Sequence, residues 1–171
     1  MARTKKVKES LTIMTEMVMP NDTNTLGNLM GGNLMRMMDV VGAICAQKHS
    51  NRIVVTASVD NVSFVESIPL GHVVTLEAKI TRAFNSSMEV VVQVYAENIP
   101  AGTKVSTNKA FLTFVAVDQS GRPIEVPEAL PETPEEEDLF ASALRRRQLR
   151  LVLAGRMKPE EATELKAIFG I

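Results

Sequence analysis

The chain of 171 residues has few aromatic side chains and almost no net charge. It contains no tryptophan, one tyrosine and six phenylalanines, too few rings for a surface that stacks single-stranded nucleic acid. Its 19 basic and 20 acidic side chains leave a net charge of -1, so no overall positive field attracts nucleic acid or an anionic membrane. The composition therefore predicts neither a nucleic-acid partner nor a membrane partner.

Cysteine and histidine are also scarce. Cys45 is the single cysteine, which excludes an intramolecular disulfide and a zinc site built from several thiolates. The sequence predicts no metal and no cofactor. Cys45 occupies an apolar helix position without an evident basic partner, which indicates core packing rather than a nucleophile. His49 and His72 are the two histidines, and we interpret both as structural or surface residues, with His49 suited as an imidazolium to a helix C-terminus.

Long hydrophobic runs are missing as well. The longest, residues 40–46, is far shorter than the roughly 20 residues that span a bilayer. Residues 11–18 are interrupted by Thr12, Thr15 and Glu16, so they lack the apolar core of a signal peptide. Together with the single cysteine, these absences predict a cytoplasmic protein.

The length fits one domain with an appendage. Residues 1–10 form a basic N-terminal arm, and residues 11–125 hold the periodic apolar patterns of the domain. Residues 126–134 belong to a stretch rich in proline and acidic residues, which predicts an extended linker. Residues 135–171 predict a helical tail, because their acidic start and arginine-rich second half complement a helix dipole. We expect this tail to serve assembly or to cover the ligand.

One helix and at least five strands are predicted. Residues 33–49 are apolar at helical spacing on most sides, which is typical of a buried helix, and Asn33, Arg36, Gln47 and Lys48 share its one polar edge. Antiparallel strands that wrap this helix would bury both apolar surfaces, and that α+β arrangement is the hotdog fold. The strand patterns cover residues 11–18, 53–65, 72–84, 88–97 and 104–118.

The signatures of many enzymes are absent, and the candidate chemistry lies in residues 19–39. Gly31 and Gly32 at the helix start expose backbone N–H groups where the helix dipole also favours negative charge, which suits an oxyanion hole. Asp39 lies two turns into the predicted buried helix, a costly place for a carboxylate and therefore a candidate site residue. Arg36 lies three residues earlier, so an ordinary salt bridge to Asp39 is an equal alternative.

This segment resembles bacterial hotdog acyl-CoA thioesterases and the related mammalian brain acyl-CoA hydrolase. The resemblance covers about residues 10–125 and is most specific in the loop and helix. It rests on Met19-Pro20-Asn21-Asp22-Thr23-Asn24, Gly27, Gly31-Gly32, Met35, Met38-Asp39 and Val54-Val55-Thr56, and continues through Phe64, Pro69, Gly71 and residues 111–118.

The resemblance implies hydrolysis of an acyl-CoA to free CoA and a carboxylic acid, without a cofactor. It implies a homodimer as the smallest active unit, with a trimer of dimers as the larger assembly. In such enzymes the asparagine and glycines of one subunit meet the aspartate of its partner. Carried onto this chain, a Gly31 or Gly32 amide polarises the thioester carbonyl, Asn24 positions the reactants, and Asp39 activates water or attacks directly.

The resemblance also suggests a hydroxyl on the strand after the helix, for which Thr56 and Ser58 are the candidates. The phosphates of CoA call for a local basic rim, and Arg82, Lys109 and Arg122 are the candidates for it.

Two other functions stay open. The same fold could act as a non-catalytic acyl-CoA sensor whose arginine-rich tail contacts a macromolecule. A dehydratase acting on acyl thioesters would need a histidine paired with an acid, and neither His49 nor His72 lies in such a context. The presence of both Asn24 and Asp39 favours the hydrolase.

Overall fold

The computed structural model describes residues 3–60 and 62–170, and the chain divides into two compact units, Met1–Leu130 and Pro131–Ile171. Short 3-10 helices lie at Val7–Glu9 and Pro20–Asp22 of the first unit. The strands and helix of the first unit are, in chain order, β1 (Thr4–Lys6), β2 (Thr12–Met17), α1 (Gly31–Ser50), β3 (Ile53–Asp60), β4 (Val73–Ala83), β5 (Ser87–Asn98), β6 (Thr103–Val117) and β7 (Glu128–Leu130).

The five longer strands form one antiparallel sheet in the order β2-β4-β5-β6-β3. Consecutive strands β4, β5 and β6 pair directly, as expected where the connections are only a few residues long. Strands β2 and β3 lie at the two edges. The sheet therefore ends on β3, the strand that follows α1 directly in the chain.

The core lies between α1 and one face of this sheet. Alternate residues of β5 point to α1, as period-two geometry requires, and meet apolar residues of the helix. The buried side chains of the two elements include Met88, Val90, Val92 and Val94 from β5 and Met37, Met38, Val41 and Cys45 from α1. At Gly42 the packing is so close that an added Cβ would lie 2.9 Å from the ring of Phe114. The predicted arrangement of a sheet around one long helix is confirmed.

The prediction that α1 is buried on nearly all sides is wrong for the single chain. Met35, Val40 and Ile44 are 41%, 39% and 39% exposed, because the sheet covers only one side of the helix. Arg36 and Gln47 are exposed, in agreement with the predicted polar edge. The helix thus carries an apolar stripe that its own chain leaves open.

The predicted basic arm and linker are more ordered than the sequence suggested. Strand β1, in the arm, pairs in parallel with β7, in the linker, and Val7 is buried at 1% exposure. Residues 1–10 are therefore not a free arm, and the compact first unit extends to Leu130 rather than to residue 125. Three-residue strands are too short to show a period in the sequence.

The strand predicted at residues 53–65 ends earlier, at Asp60. Phe64 and Val65 continue the apolar pattern, but residues 62–65 leave the sheet, where the side-chain amide of Asn108 donates to the Ser63 carbonyl. The other four strand predictions are confirmed to within one residue at each end.

The second unit is helical, as the tail was predicted to be. It contains α2 (Pro134–Leu153), a 3-10 helix at Pro159–Glu161, and α3 (Thr163–Phe169). Helix α2 begins with a capping box, in which Thr133 Oγ1 accepts from Glu136 N at 3.2 Å and Glu136 Oε2 accepts from Thr133 N at 3.3 Å. Across residues 3–60 and 62–170, no helix combines the length and the apolar character needed to cross a membrane.

Candidate active site

The loop before α1 is organised around Asn24. Its Oδ1 accepts from the backbone N–H groups of Leu26 at 2.9 Å and Asn28 at 3.2 Å, and its own N–H donates to the Asn28 carbonyl at 2.8 Å. Gly27 completes this turn with φ +75°, a conformation that glycine adopts at little cost. Among the described residues, the Nδ2 group of Asn24 has no acceptor, so it is available to a ligand.

Helix α1 starts without a side-chain cap, because Met30 occupies the N-cap position. The N–H groups of Asn33 and Leu34 both donate to the Met30 carbonyl. Within the described chain, the N–H groups of Gly31 and Gly32 have no acceptor. These are the free donors, at the positive end of the helix dipole, that an oxyanion hole requires.

Phe64 closes over this helix start. A Cβ on Gly31 would lie 3.3 Å from the Phe64 ring, whereas a Cβ on Gly32 would meet nothing within 4 Å. Gly31 therefore permits the ring to approach the free amides. The sequence pattern placed Phe64 in a strand, so this contact was not predicted.

A cavity of about 560 Å³ lies beside Asn24, Gly31 and Phe64. Its wall is mostly apolar, which suits the acyl chain or pantetheine arm of a thioester more than a charged ligand. The remaining lining residues are Leu26, Asn28, Leu29, Leu34, Val65, Glu66, Ser67 and Ile68.

Asp39 is held by Thr56. The Thr56 hydroxyl Oγ1 donates to Asp39 Oδ1 at 2.6 Å, a short charge-assisted hydrogen bond that fixes the carboxylate against β3. Asp39 is half-buried and Thr56 is exposed. The Ser58 hydroxyl instead donates to Asp60 Oδ1 at 3.2 Å, beyond a bulge between Thr56 and Ser58. The structure thus joins Thr56, and not Ser58, to the candidate carboxylate.

The alternative salt bridge between Arg36 and Asp39 does not form. Arg36 Nη2 lies 4.0 Å from Glu16 Oε2 on β2, and the described residues contain no ion pair between Arg36 and Asp39. The only hydrogen bond to the Asp39 side chain within residues 3–60 and 62–170 comes from Thr56.

The predicted residues fall into two groups within one chain. Asn24 and Gly31 line the 560 Å³ cavity, whereas Asp39 and Thr56 do not. Asp39 lies eight residues beyond Gly31, about 12 Å along the helix axis. One chain therefore presents the oxyanion donors and the carboxylate as separate parts.

Neither Cys45 nor the histidines contribute to these parts. Burial raises the pKa of the Cys45 thiol to about 12, which keeps it protonated and unreactive. His49 was expected to favour the imidazolium form at the end of α1. The structure instead buries it, burial lowers its pKa, and its Nε2 lies 2.8 Å from the Pro127 carbonyl. His72 is half-buried in the turn before β4.

The three candidates for CoA phosphates do not lie together. Arg82 lines a different cavity, at the end of β4. Lys109 is exposed on β6 with its Nζ 5.7 Å from the centre of the Phe111 ring, and Arg122 is exposed in the turn after β6. No three His, Cys, Asp or Glu side chains of the described residues are placed to hold a metal ion.

The family follows from comparison with known proteins. The model of the thioesterase superfamily matches residues 26–102. An uncharacterised acyl-CoA thioester hydrolase of Bacillus subtilis is 42% identical over 143 residues, which is 84% of this chain and 83% of the relative. The chain belongs to the thioesterase superfamily. The predicted class of enzyme, an acyl-CoA thioesterase, is thereby confirmed.

Two solved structures extend this result to the fold. An apo-hexameric acyl-CoA thioesterase has 41% identity and a TM-score of 0.86, covering 89% of this chain and 97% of its own. An acyl-CoA hydrolase of Staphylococcus aureus in complex with butyryl-CoA, CoA and CoA disulfide has 35% identity and a TM-score of 0.83, covering 96% and 99%. The predicted hotdog fold is confirmed. The mammalian relatives are longer, and the chain spans 24 to 36% of their length.

The Staphylococcus aureus enzyme has also been solved as three variants, in which one asparagine, one aspartate or one threonine is replaced by alanine. From the asparagine to the aspartate is 15 positions, and from the aspartate to the threonine is 17. Asn24, Asp39 and Thr56 have the same separations.

Proposed function

We propose that the protein hydrolyses acyl-CoA thioesters at a site that two copies of the chain share. The observation that carries this proposal is the 2.6 Å hydrogen bond from Thr56 to Asp39, on a helix whose first amides are free. It orients a carboxylate in a chain of the thioesterase superfamily. The matching separations of Asn24, Asp39 and Thr56 in the Staphylococcus aureus variants support the same three residues.

In the proposed reaction, the thioester oxygen accepts from the amide of Gly31 or Gly32, and the Nδ2 group of Asn24 positions the reactants. Asp39 accepts a proton from water as the water oxygen attacks the carbonyl carbon, and the negative charge moves to the amide-bound oxygen. Collapse of this intermediate breaks the carbon–sulfur bond, and Asp39 returns its proton to the CoA thiolate. Direct attack by Asp39, through an anhydride, is the competing mechanism.

A second copy of the chain would complete the site. Strand β3 is a sheet edge with unpaired backbone groups and with Ile53 and Val55 at 61% and 49% exposure, a surface that folded proteins normally cover. The open stripe of α1, Met35, Val40 and Ile44, flanks Asp39 in sequence and shares its helix. A homodimer joined along β3 and α1 would cover both surfaces and bring the Asp39 of one copy to the Gly31 of the other. A trimer of such dimers is the proposed full assembly, as the hexameric relative supports.

The test of the function is thiol release from acyl-CoA substrates of increasing chain length. We expect one CoA thiol per carboxylic acid formed, followed by continuous reaction with a thiol-specific dye. The background from the protein should be small, because Cys45 is buried with a pKa of about 12. Saturable binding of acyl-CoA without any thiol release would contradict the hydrolase and favour the sensor. The predicted cytoplasmic location stays a prediction.

Thr56 is proposed to position Asp39, which predicts a difference between two substitutions. Thr56→Val keeps the shape and loses the donor, so we expect kcat to fall about tenfold, the value of one hydrogen bond to a charged group. Thr56→Ser keeps the hydroxyl and should stay within about threefold of the native kcat. Steady-state kinetics on one acyl-CoA would measure both. Equal kcat values for the two variants would contradict the positioning role.

A further inference from the structure

A second cavity, of about 720 Å³, lies in the first unit where α1 ends, and the proposed reaction does not use it. Three arginines from separate segments line it: Arg3 before β1, Arg52 after α1, and Arg82 on β4. We propose that this cavity binds a phosphorylated nucleoside. The ligand is either the nucleotide end of CoA itself, an inference that rests on the proposed function, or a free nucleotide.

Hydrogen bonds between its walls hold this cavity in shape. The N–H of Val126 donates to the Asn85 carbonyl at 3.0 Å, and the N–H of Glu128 donates to the Arg3 carbonyl at 2.9 Å. The buried His49 ring holds the Pro127 carbonyl at 2.8 Å. These bonds tie the segment before β7 to β1, to the end of α1 and to the turn after β4. The cavity is thus preformed, as ligand sites usually are.

The charges in the cavity favour an anion. Arg3 and Arg52 are exposed, and within the described residues neither forms an ion pair, although Glu125 and Glu128 line the same cavity. Arginine presents a planar fork of N–H donors that matches phosphate oxygens. Two such side chains on one cavity suit a ligand with more than one phosphate charge.

The remaining lining favours a nucleoside over inorganic phosphate. Phe84 offers a ring for stacking, beside the Arg82 guanidinium, whose Cζ lies 5.7 Å from the ring centre. Asn85 and the two glutamates supply acceptors for ribose hydroxyl and base amino groups. Phosphate, base and sugar contacts therefore occur around one preformed space.

The direct test is binding of ADP, followed by titration calorimetry. Three proteins are compared: the native chain, the double variant Arg3→Gln with Arg52→Gln, and Arg156→Gln, which removes an exposed arginine of the second unit. We expect the double variant to bind ADP at least about tenfold more weakly, and Arg156→Gln to bind it as the native chain does. Both altered arginines are exposed, and an unchanged melting temperature checks folding. No ADP binding by the native chain, or equal binding by all three proteins, would overturn the proposal.

Kinetics of the same proteins distinguish the two sources of the nucleotide. If the cavity holds the substrate's own nucleotide, the double variant should show a KM for acyl-CoA raised about tenfold with little change in kcat. Its hydrolysis of an acyl N-acetylcysteamine thioester, which lacks a nucleotide, should be unchanged. Weaker ADP binding with an unchanged KM for acyl-CoA would assign the cavity to a free nucleotide. Failure of the native chain to hydrolyse either thioester would contradict only the proposed function, because ADP binding is measured without turnover.

Discussion

Replacing Asp39 with asparagine should lower kcat at least about a hundredfold, the lower range for loss of a general base. Asparagine has nearly the shape of aspartate and can still accept the hydrogen bond that Thr56 now donates to Oδ1 at 2.6 Å. It cannot take a proton from water or attack the thioester carbonyl. The loss should therefore appear in kcat under either form of the mechanism, and is measured by thiol release at saturating acyl-CoA.

Two further measurements make this result specific. Binding of acyl-CoA to Asp39→Asn, measured by calorimetry, should be within a few fold of the binding to the native chain, because the loss is confined to the chemical step. Arg36→Gln is the matched control, since Arg36 lies on the same helix and pairs with Glu16. It should keep kcat within about threefold of the native value, because a surface ion pair contributes little. A kcat near the native value for Asp39→Asn would contradict the assignment of Asp39.

Mixing Asn24→Ala and Asp39→Asn chains should restore activity that neither variant has alone. Each variant should be strongly impaired: Asn24 shapes the turn through two hydrogen bonds to its Oδ1, and Asp39 is the proposed base. If a site takes Asn24 from one chain and Asp39 from the other, each heterodimer contains one native site and one doubly altered site. Random exchange at equal concentrations should then restore roughly a quarter of native activity.

The control for this experiment is each variant carried alone through the same exchange. Mass spectrometry under native conditions would verify that heterodimers have formed. Verified heterodimers without restored activity would contradict the shared site and place Asn24 and Asp39 of one chain together. Restored activity would also support the pairing of chains along β3 and α1, since that interface brings the two residues together.

Much of the fold was predictable because its signals are local. Alternation over ten or more residues predicts strands such as β5 and β6, and helical spacing predicts α1, from side-chain periods alone. The free amides of Gly31 and Gly32 follow from a helix start without a capping side chain. The sequence by itself also singles out Asp39, because a carboxylate in such an apolar helix needs a reason.

The tertiary structure decided the partners. Thr56 and Ser58 are equivalent in the sequence, and a bulge on β3 leaves only Thr56 on Asp39. Arg36 could pair with Asp39 by helix spacing, but the sheet brings Glu16 of β2 closer to it.

The sequence also could not show which apolar surfaces one chain covers. An apolar pattern records burial in the final assembly, so the stripe of α1 and the edge strand β3 looked like core although a single chain leaves them open. The cavity of Arg3, Arg52 and Arg82 was invisible for a related reason. Its arginines are separated by 49 and 30 positions, and no local pattern connects residues that only the pairing of strands and the packing of the helix bring together.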